Sequence, residues 1–232
     1  MRQTFSAALA AARAQGRAPL VSEIKVRSPK EGDLLRGRDP VALARTMETA
    51  GAACISVVTE PEHFGGSMEL LRAVNSAVSV PVLRKDFVRC REDVLATVES
   101  GASCLLLIAA LLDQTLLAEL HDVARREGLE TLVEVHNEDE LRRVLTMELD
   151  LLGINNRDIL RLERDEGTVS NTLGLIRLAP LGTRVISESA ISSPEEVRAV
   201  CEAGAFGVLV GTSVLKAEDT AEAVRRLARA LG

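Results

Sequence analysis

The stretch VSEIKVRSPK, residues 21–30, sets Glu23 and Lys25 two positions apart in a segment that otherwise reads as a buried strand. Strand side chains alternate faces with a period of two, so these opposite charges project to one side. Taken alone, the pair fits the solvated face of an edge strand. The same device recurs along the chain. Lys85 closes PVLRK, Glu134 closes TLVE, Asn155 and Arg157 follow LLGI, and Glu188 with Ser189 follows RVIS. Within these runs Leu83 shares a face with Lys85, Leu132 with Glu134 and Ile186 with Glu188. Carboxylates and ammonium groups gathered at one mouth shift each other's proton affinity, the condition for acid–base chemistry near neutral pH. A layer of structural ion pairs is the competing reading, and it weakens when five charges, Glu23, Lys25, Lys85, Glu134 and Glu188, all fall at the same end of four different strands.

The elements that must position these groups are short apolar runs at 19–26, 53–59, 81–86, 103–109, 131–135, 151–155, 184–188 and 207–211. Strands that are apolar on both faces and alternate with helices indicate a parallel sheet. Asp39-Pro40 opens a helix that stops at Gly51, and Ser193 with Glu196 opens another that stops at Gly204. Further helical patterns cover 67–77, 91–100, 113–127, 138–147, 170–179 and 219–230. TAGAACISVV, ESGASCLLLI and EAGAFGVLVG form a weak internal repeat in which a helix ends at Gly-Ala and a strand begins. The expected fold is α/β, a single (β/α)8 TIM barrel over 19–232 with a short N-terminal helical extension at 1–18. An open doubly wound sheet is the runner-up, and it lacks the GxGxxG loop such a sheet would carry after its first strand. In a barrel the active site lies at the C-terminal strand ends, and a closed barrel has no edge, which removes the edge-strand reading of Glu23 and Lys25.

Composition narrows the partners. A net charge of −6 and an aromatic content of 2%, with neither Trp nor Tyr, argue against a nucleic-acid binder. Cys54, Cys90, Cys104 and Cys201 show no CxxC spacing, and His63, His121 and His136 show no ligand spacing, so no metal and no disulfide is expected. The N-terminus has no apolar signal core and no run reaches membrane-spanning length, so a cytoplasmic protein with no membrane partner is expected. At the end of the eighth strand, Gly211-Thr212-Ser213 leads into a short helical turn whose N–H groups suit a phosphate.

EIKVRSPKEG, ISVVTEPEHFGGS, VPVLRKDF, LLLIAALL, LVEVH, GINNRD, SES and VGTSVLKA occur in one order from about residue 20 onward. In these motifs the chain resembles the indole-3-glycerol phosphate synthase family, with LRKDF and GINNRD the most specific. The resemblance implies a phosphorylated small-molecule substrate, 1-(2-carboxyphenylamino)-1-deoxyribulose 5-phosphate, and no cofactor. Lys85 is then a candidate general acid, and Lys25 and Glu23 a second acid and a base, although the two lysines' duties can be exchanged. Glu134 would orient Lys85, with Glu188 beside it, and Asn155 and Arg157 would fix sugar hydroxyls or the benzoate carboxylate. Ser189, Ala190, Gly211 and Ser213 fall at the phosphate positions, and Ser28 and Phe87 on the anthranilate side. The chain departs from the family pattern in its short N-terminal extension, in SPKEG where SPSKG is usual, and in SESAI where SESGI is usual, which puts Ala190 in place of a glycine. Another lysine-dependent phosphosugar barrel enzyme, or a barrel that binds a phosphometabolite without turnover, are the alternatives. A monomer is expected.

Overall fold

The computed structural model describes residues 3–162 and 164–232. Eight parallel strands close into a barrel: β1 (Leu20–Ile24), β2 (Cys54–Val58), β3 (Val82–Lys85), β4 (Cys104–Ile108), β5 (Glu130–Val135), β6 (Leu151–Asn155), β7 (Val185–Glu188) and β8 (Gly207–Val210). Each strand pairs with its sequence neighbours and β8 returns to β1, with Leu20 beside Val208 and Val21 beside Cys54. The doubly wound alternative is therefore excluded. Helices α2 (Pro40–Ala50), α3 (Met68–Ala77), α4 (Arg91–Glu99), α5 (Gln114–Arg126), α6 (Glu138–Val144), α7 (Ser170–Leu175) and α8 (Pro194–Glu202) follow the first seven strands in turn. After β8 come the short α9 (Thr212–Lys216) and α10 (Thr220–Ala228).

The helix boundaries follow from their caps. Asp39 accepts from the Val41 N–H, Pro40 occupies the first turn, and Gly51 closes α2 with φ 114°. Ser193 and Glu196 form a reciprocal capping box on α8. The pattern over 170–179 resolves into α7 and a 3-10 turn at Ile176–Leu178, stopped before Pro180. The run at 19–26 is strand only to Ile24. Beyond it Arg27–Ser28 pairs antiparallel with Gly32–Asp33, a small ribbon in the loop after β1.

The period of two along each strand divides the apolar residues into two sets. Leu20, Ile24, Ile55, Val57, Leu105, Leu107, Val133 and Val135 pack outward under the helices. Val21, Cys54, Leu83, Leu106, Leu132, Leu151, Ile186 and Leu209 fill the barrel interior. The N-terminal extension is helix α1 (Phe5–Ala14), and its buried Phe5 and Leu9 join that interior set. Burying two such side chains contributes about 3–6 kcal/mol. Glu130, at the start of β5, accepts from the Ser6 N–H at 2.9 Å and from its hydroxyl at 2.5 Å, which pins α1 across the N-terminal mouth. With that end plugged by apolar side chains, the opposite mouth is where the inward polar residues collect.

Candidate active site

Three inward positions at the C-terminal mouth carry a linked charge cluster. Lys85 ends β3, and its Nζ lies 3.1 Å from Glu134 Oε2 on β5 and 3.1 Å from Glu188 Oε2 on β7. Both carboxylates are fully buried. Glu23, on β1, sits 3.2 Å from Lys25 Nζ and accepts a 3.4 Å hydrogen bond from Ser56 on β2. Lys25, just past the end of β1, also lies 5.7 Å over the ring of Phe64.

Two glycines make room for the carboxylates. A Cβ on Gly153, in the middle of β6, would meet Glu188 Oε1 at 2.1 Å. One on Gly211 would meet Glu23 Oε1 at 2.6 Å. Neither residue has positive φ, so close approach is the reason for glycine at both sites.

The cluster's electrostatics are asymmetric. Burial alone would raise both glutamates. At Glu134 the Lys85 ammonium and the His136 imidazole outweigh burial and hold the carboxyl well below the usual range. At Glu188 burial, with repulsion from Glu134 and Glu23, prevails over Lys85 and lifts the carboxyl to about 8. One ammonium thus stands between an ionised and a protonated acid at neutral pH.

Two cavities meet over these groups. The larger, about 460 Å³, is polar and runs from the cluster to the loops after β6, β7 and β8, where Arg157, Ser189, Ala190, Gly211, Ser213 and Lys216 line it. The smaller is apolar, with Phe64, Phe87, Leu106, Ile108 and Ile159 in its wall, and Phe64 meets Phe87 edge to face at 6.4 Å. Glu23, Lys25 and Lys85 line both.

Other residues singled out from the sequence lie around this junction or apart from it. Asn155 is fully buried, its Oδ1 accepts from the Arg157 N–H at 3.0 Å, and it faces a side chamber of about 270 Å³ rather than either main cavity. Ser28 lines neither cavity. Its hydroxyl accepts from the Lys30 and Glu31 N–H groups and shapes the loop after β1. Ser213 donates to the Ile191 carbonyl at 2.9 Å, tying the loop after β7 to α9. Ser189 and Ala190 both take left-handed backbone, with φ 64° and 55°.

Several residues that sequence reasoning passed over build the site. Asn156 donates to Ser187 and to the Ser189 carbonyl, and accepts from the Thr172 N–H and hydroxyl. It braces the left-handed pair. Glu60 accepts from the N–H groups of Glu62, His63 and Phe64 and so presents Phe64 to the apolar cavity. Those contacts also occupy the carboxylate of the Glu60–Glu62–His63 group, the one set among the described residues spaced for a metal. Glu31, at the unusual position of SPKEG, pairs with Lys216, and Lys30 pairs with Glu166 at 2.8 Å. The first loop is thereby tied to the loops after β8 and β6. The doubled asparagine of GINNRD and the departure at SPKEG are the sequence signals for Asn156 and Glu31.

The indole-3-glycerol phosphate synthase family model matches residues 1–227. The chain belongs to that family. Curated indole-3-glycerol phosphate synthases align closely with it. That of Thermococcus kodakarensis is 46% identical over 209 residues, 90% of this chain and 91% of its own. That of Pyrococcus furiosus is 44% identical over 212 residues, 91% and 92% of the two chains. That of Hyphomonas neptunium is 40% identical over 227 residues, 96% of this chain and 83% of its own. Among solved structures, an N-acetylmannosamine-6-phosphate 2-epimerase from Clostridium perfringens superposes with a TM-score of 0.64 at 14% identity, covering 84% of this chain and 86% of its own. That likeness is one of fold. No described helix is long and apolar enough to cross a membrane.

Proposed function

We propose that this chain converts 1-(2-carboxyphenylamino)-1-deoxyribulose 5-phosphate to indole-3-glycerol phosphate, carbon dioxide and water. The observation that carries the reading is the junction of the two cavities. A substrate with a phosphorylated polyol at one end and an aromatic ring at the other, laid along them, brings its reacting carbons over Glu23, Lys25 and Lys85. Its phosphate then faces Ser189, Ala190, Gly211 and Ser213, with Arg157 and Lys216 in the same wall. Its ring lies against Phe87 and Phe64.

The steps balance with protons alone, so no cofactor is called on. The ring carbon bearing the carboxylate attacks the sugar C2 carbonyl, and Lys85 protonates the oxygen as the carbon–carbon bond forms. The ionised Glu134 stabilises the cationic ring intermediate. Loss of carbon dioxide returns an electron pair to the ring. The new hydroxyl then leaves as water with a proton from Lys25, and Glu23 takes the proton whose loss completes the indole. Glu23 returns it across the 3.2 Å pair to Lys25. Glu188, protonated until about pH 8, recharges Lys85. One proton is consumed per turnover, and the roles of Lys25 and Lys85 can be exchanged without upsetting the balance. All these groups come from one chain, so a monomer suffices. Four free cysteines suit a reducing, cytoplasmic setting.

The test is appearance of indole fluorescence from synthetic substrate, against a chain with no Trp or Tyr. Lys85→Met should lower kcat by about 10²-fold or more while product binding stays within about tenfold. An inactive wild type refutes the proposal, and a variant keeping over about a tenth of kcat removes Lys85 from it. The imine-forming alternative predicts a borohydride-trapped adduct on Lys85, and here none is expected.

A further inference from the structure

The two carboxylates on Lys85 differ in their neighbours: Glu188 feels the charge of Glu23, whereas Glu134 has an imidazole. Glu134 Oε1, the oxygen turned away from Lys85, lies 3.3 Å from His136 Nε2. Neither atom has a hydrogen-bond partner elsewhere among the described residues. His136 follows β5 directly, and three contacts fix it. Its Nδ1 is 3.1 Å from Glu140 Oε2, and its backbone N–H donates to that same oxygen at 2.8 Å. The Asn171 amide donates to its carbonyl at 3.1 Å and to that of Asn155 at 2.7 Å. Glu140 is itself held by the cap of α6, where Asn137 accepts from the Glu140 N–H and donates to Glu140 Oε1. The cap of a helix outside the barrel therefore aims an imidazole at a carboxylate inside it.

Burial alone would discourage a charge on that ring, but the carboxylates on its two nitrogens lift it to about 10. Around Glu134 the charged groups are Lys85 from β3, Glu188 from β7 through that lysine, and His136, while β4 offers the apolar Ile108 and β6 offers Gly153. Around His136 they are Glu134 and Glu140, with Arg157 and Asp158 across the side chamber. No such imidazole faces Glu188.

We infer that His136 is a positioning residue that keeps Glu134, rather than Glu188, the ionised partner of Lys85, and so decides which carboxylate holds the site's mobile proton. The inference deepens the proposed reaction and rests on it for its effect on turnover. Without the imidazolium, two equally buried carboxylates compete for one proton with only the repulsion between Glu23 and Glu188 left to separate them, and proton return to Lys85 loses much of its direction.

Two measurements test this on the full chain. Nitrogen-15 NMR of the imidazoles, simple in a chain with three histidines, should show His136 doubly protonated beyond pH 8. His136→Gln should lower plateau kcat about tenfold, with KM within about twofold, and move the limb near pH 8 upward by about one unit as the pair loses a cation. Glu140→Gln, which leaves the ring in place but unanchored, should move the limb the same way by less. A purely structural histidine would lower Tm and scale the profile without moving it, and that result overturns the inference. So does a wild-type His136 that titrates near its ordinary 6.5. The NMR titration needs no turnover. If the wild type fails on the synthetic substrate, the reaction assignment falls and the imidazole titration alone decides the placement of the charge.

Discussion

Gly153→Ala tests the cluster through a residue that carries no functional group. The new methyl would sit 2.1 Å from Glu188 Oε1 and 3.4 Å from the Glu134 backbone. The second distance is ordinary contact, so β6 and β5 stay where they are. The first is impossible, so the Glu188 carboxylate must withdraw by more than about 1 Å to reach van der Waals separation. Its other oxygen makes the 3.1 Å pair with Lys85, and that pair is expected to lengthen out of hydrogen-bonding range as the carboxylate moves. Lys85 keeps Glu134, so no charge is left unpaired and the cost of a wholly broken buried pair, about 3–5 kcal/mol, is not incurred. The relief in unfolded-chain entropy, about 0.4–1 kcal/mol for glycine to alanine, offsets part of the displacement. The variant should fold with Tm within a few degrees of wild type. Turnover is different. A displaced general acid–base partner costs about 10²-fold or more in kcat, and the limb near pH 8, which belongs to Glu188 in its present place, should leave the profile. Steady-state kinetics from pH 6 to 9 by indole fluorescence, with thermal unfolding alongside, reads both. A variant with native kcat and the pH 8 limb intact would refute the proton-return role of Glu188.

Two further outcomes follow from the same geometry. Ala190→Gly relieves a left-handed strain of about 1–2 kcal/mol at φ 55°, so KM for the phosphorylated substrate should fall a few-fold with kcat unchanged. A KM that stays or rises would show that the loop, whose Ala190 methyl faces Gly167, has adapted to alanine. For His136 the folded-state value of about 10 lies above the ordinary 6.5, so its stabilisation is complete below pH 6.5 and disappears as pH rises through about 10. The stability gap between wild type and His136→Gln in urea should therefore narrow between pH 7 and 10, and a constant gap would count against a buried imidazolium.

The barrel and its charged mouth were legible because both depend on a period of two. Leu83 and Lys85, Leu132 and Glu134, and Ile186 and Glu188 each place an apolar side chain in the interior and a charged one a layer above it. Any closed parallel sheet with those runs has to assemble the same ring. The helix ends were legible for a similar reason, since caps such as Asp39 and Ser193 act within one turn of chain. Ser28 was harder. In Ser28-Pro29 the hydroxyl turns back to its own loop, a local hydrogen bond that competes with any distant partner.

The division of labour between Glu134 and Glu188 could not be read from the strands at all. Both are inward glutamates, both fully buried, both 3.1 Å from one ammonium. Strand parity treats them as equivalent, and by charge alone either could hold the proton. Glu23 on β1 disfavours a charge on Glu188, and what favours one on Glu134 is a residue just past a strand end. Parity carries no information there, and the direction of His136 is set instead by Glu140 at the start of α6. A histidine without ligand spacing reads in sequence as inert. Here its charge state depends on two carboxylates, one reached along β5 and one along α6, that meet only when the helix packs beside the strand. Proton affinities at such a site belong to the assembled mouth. Substitutions at Glu140 or Gly153, which touch no substrate in the proposed scheme, are therefore expected to change the chemistry through the pair that does.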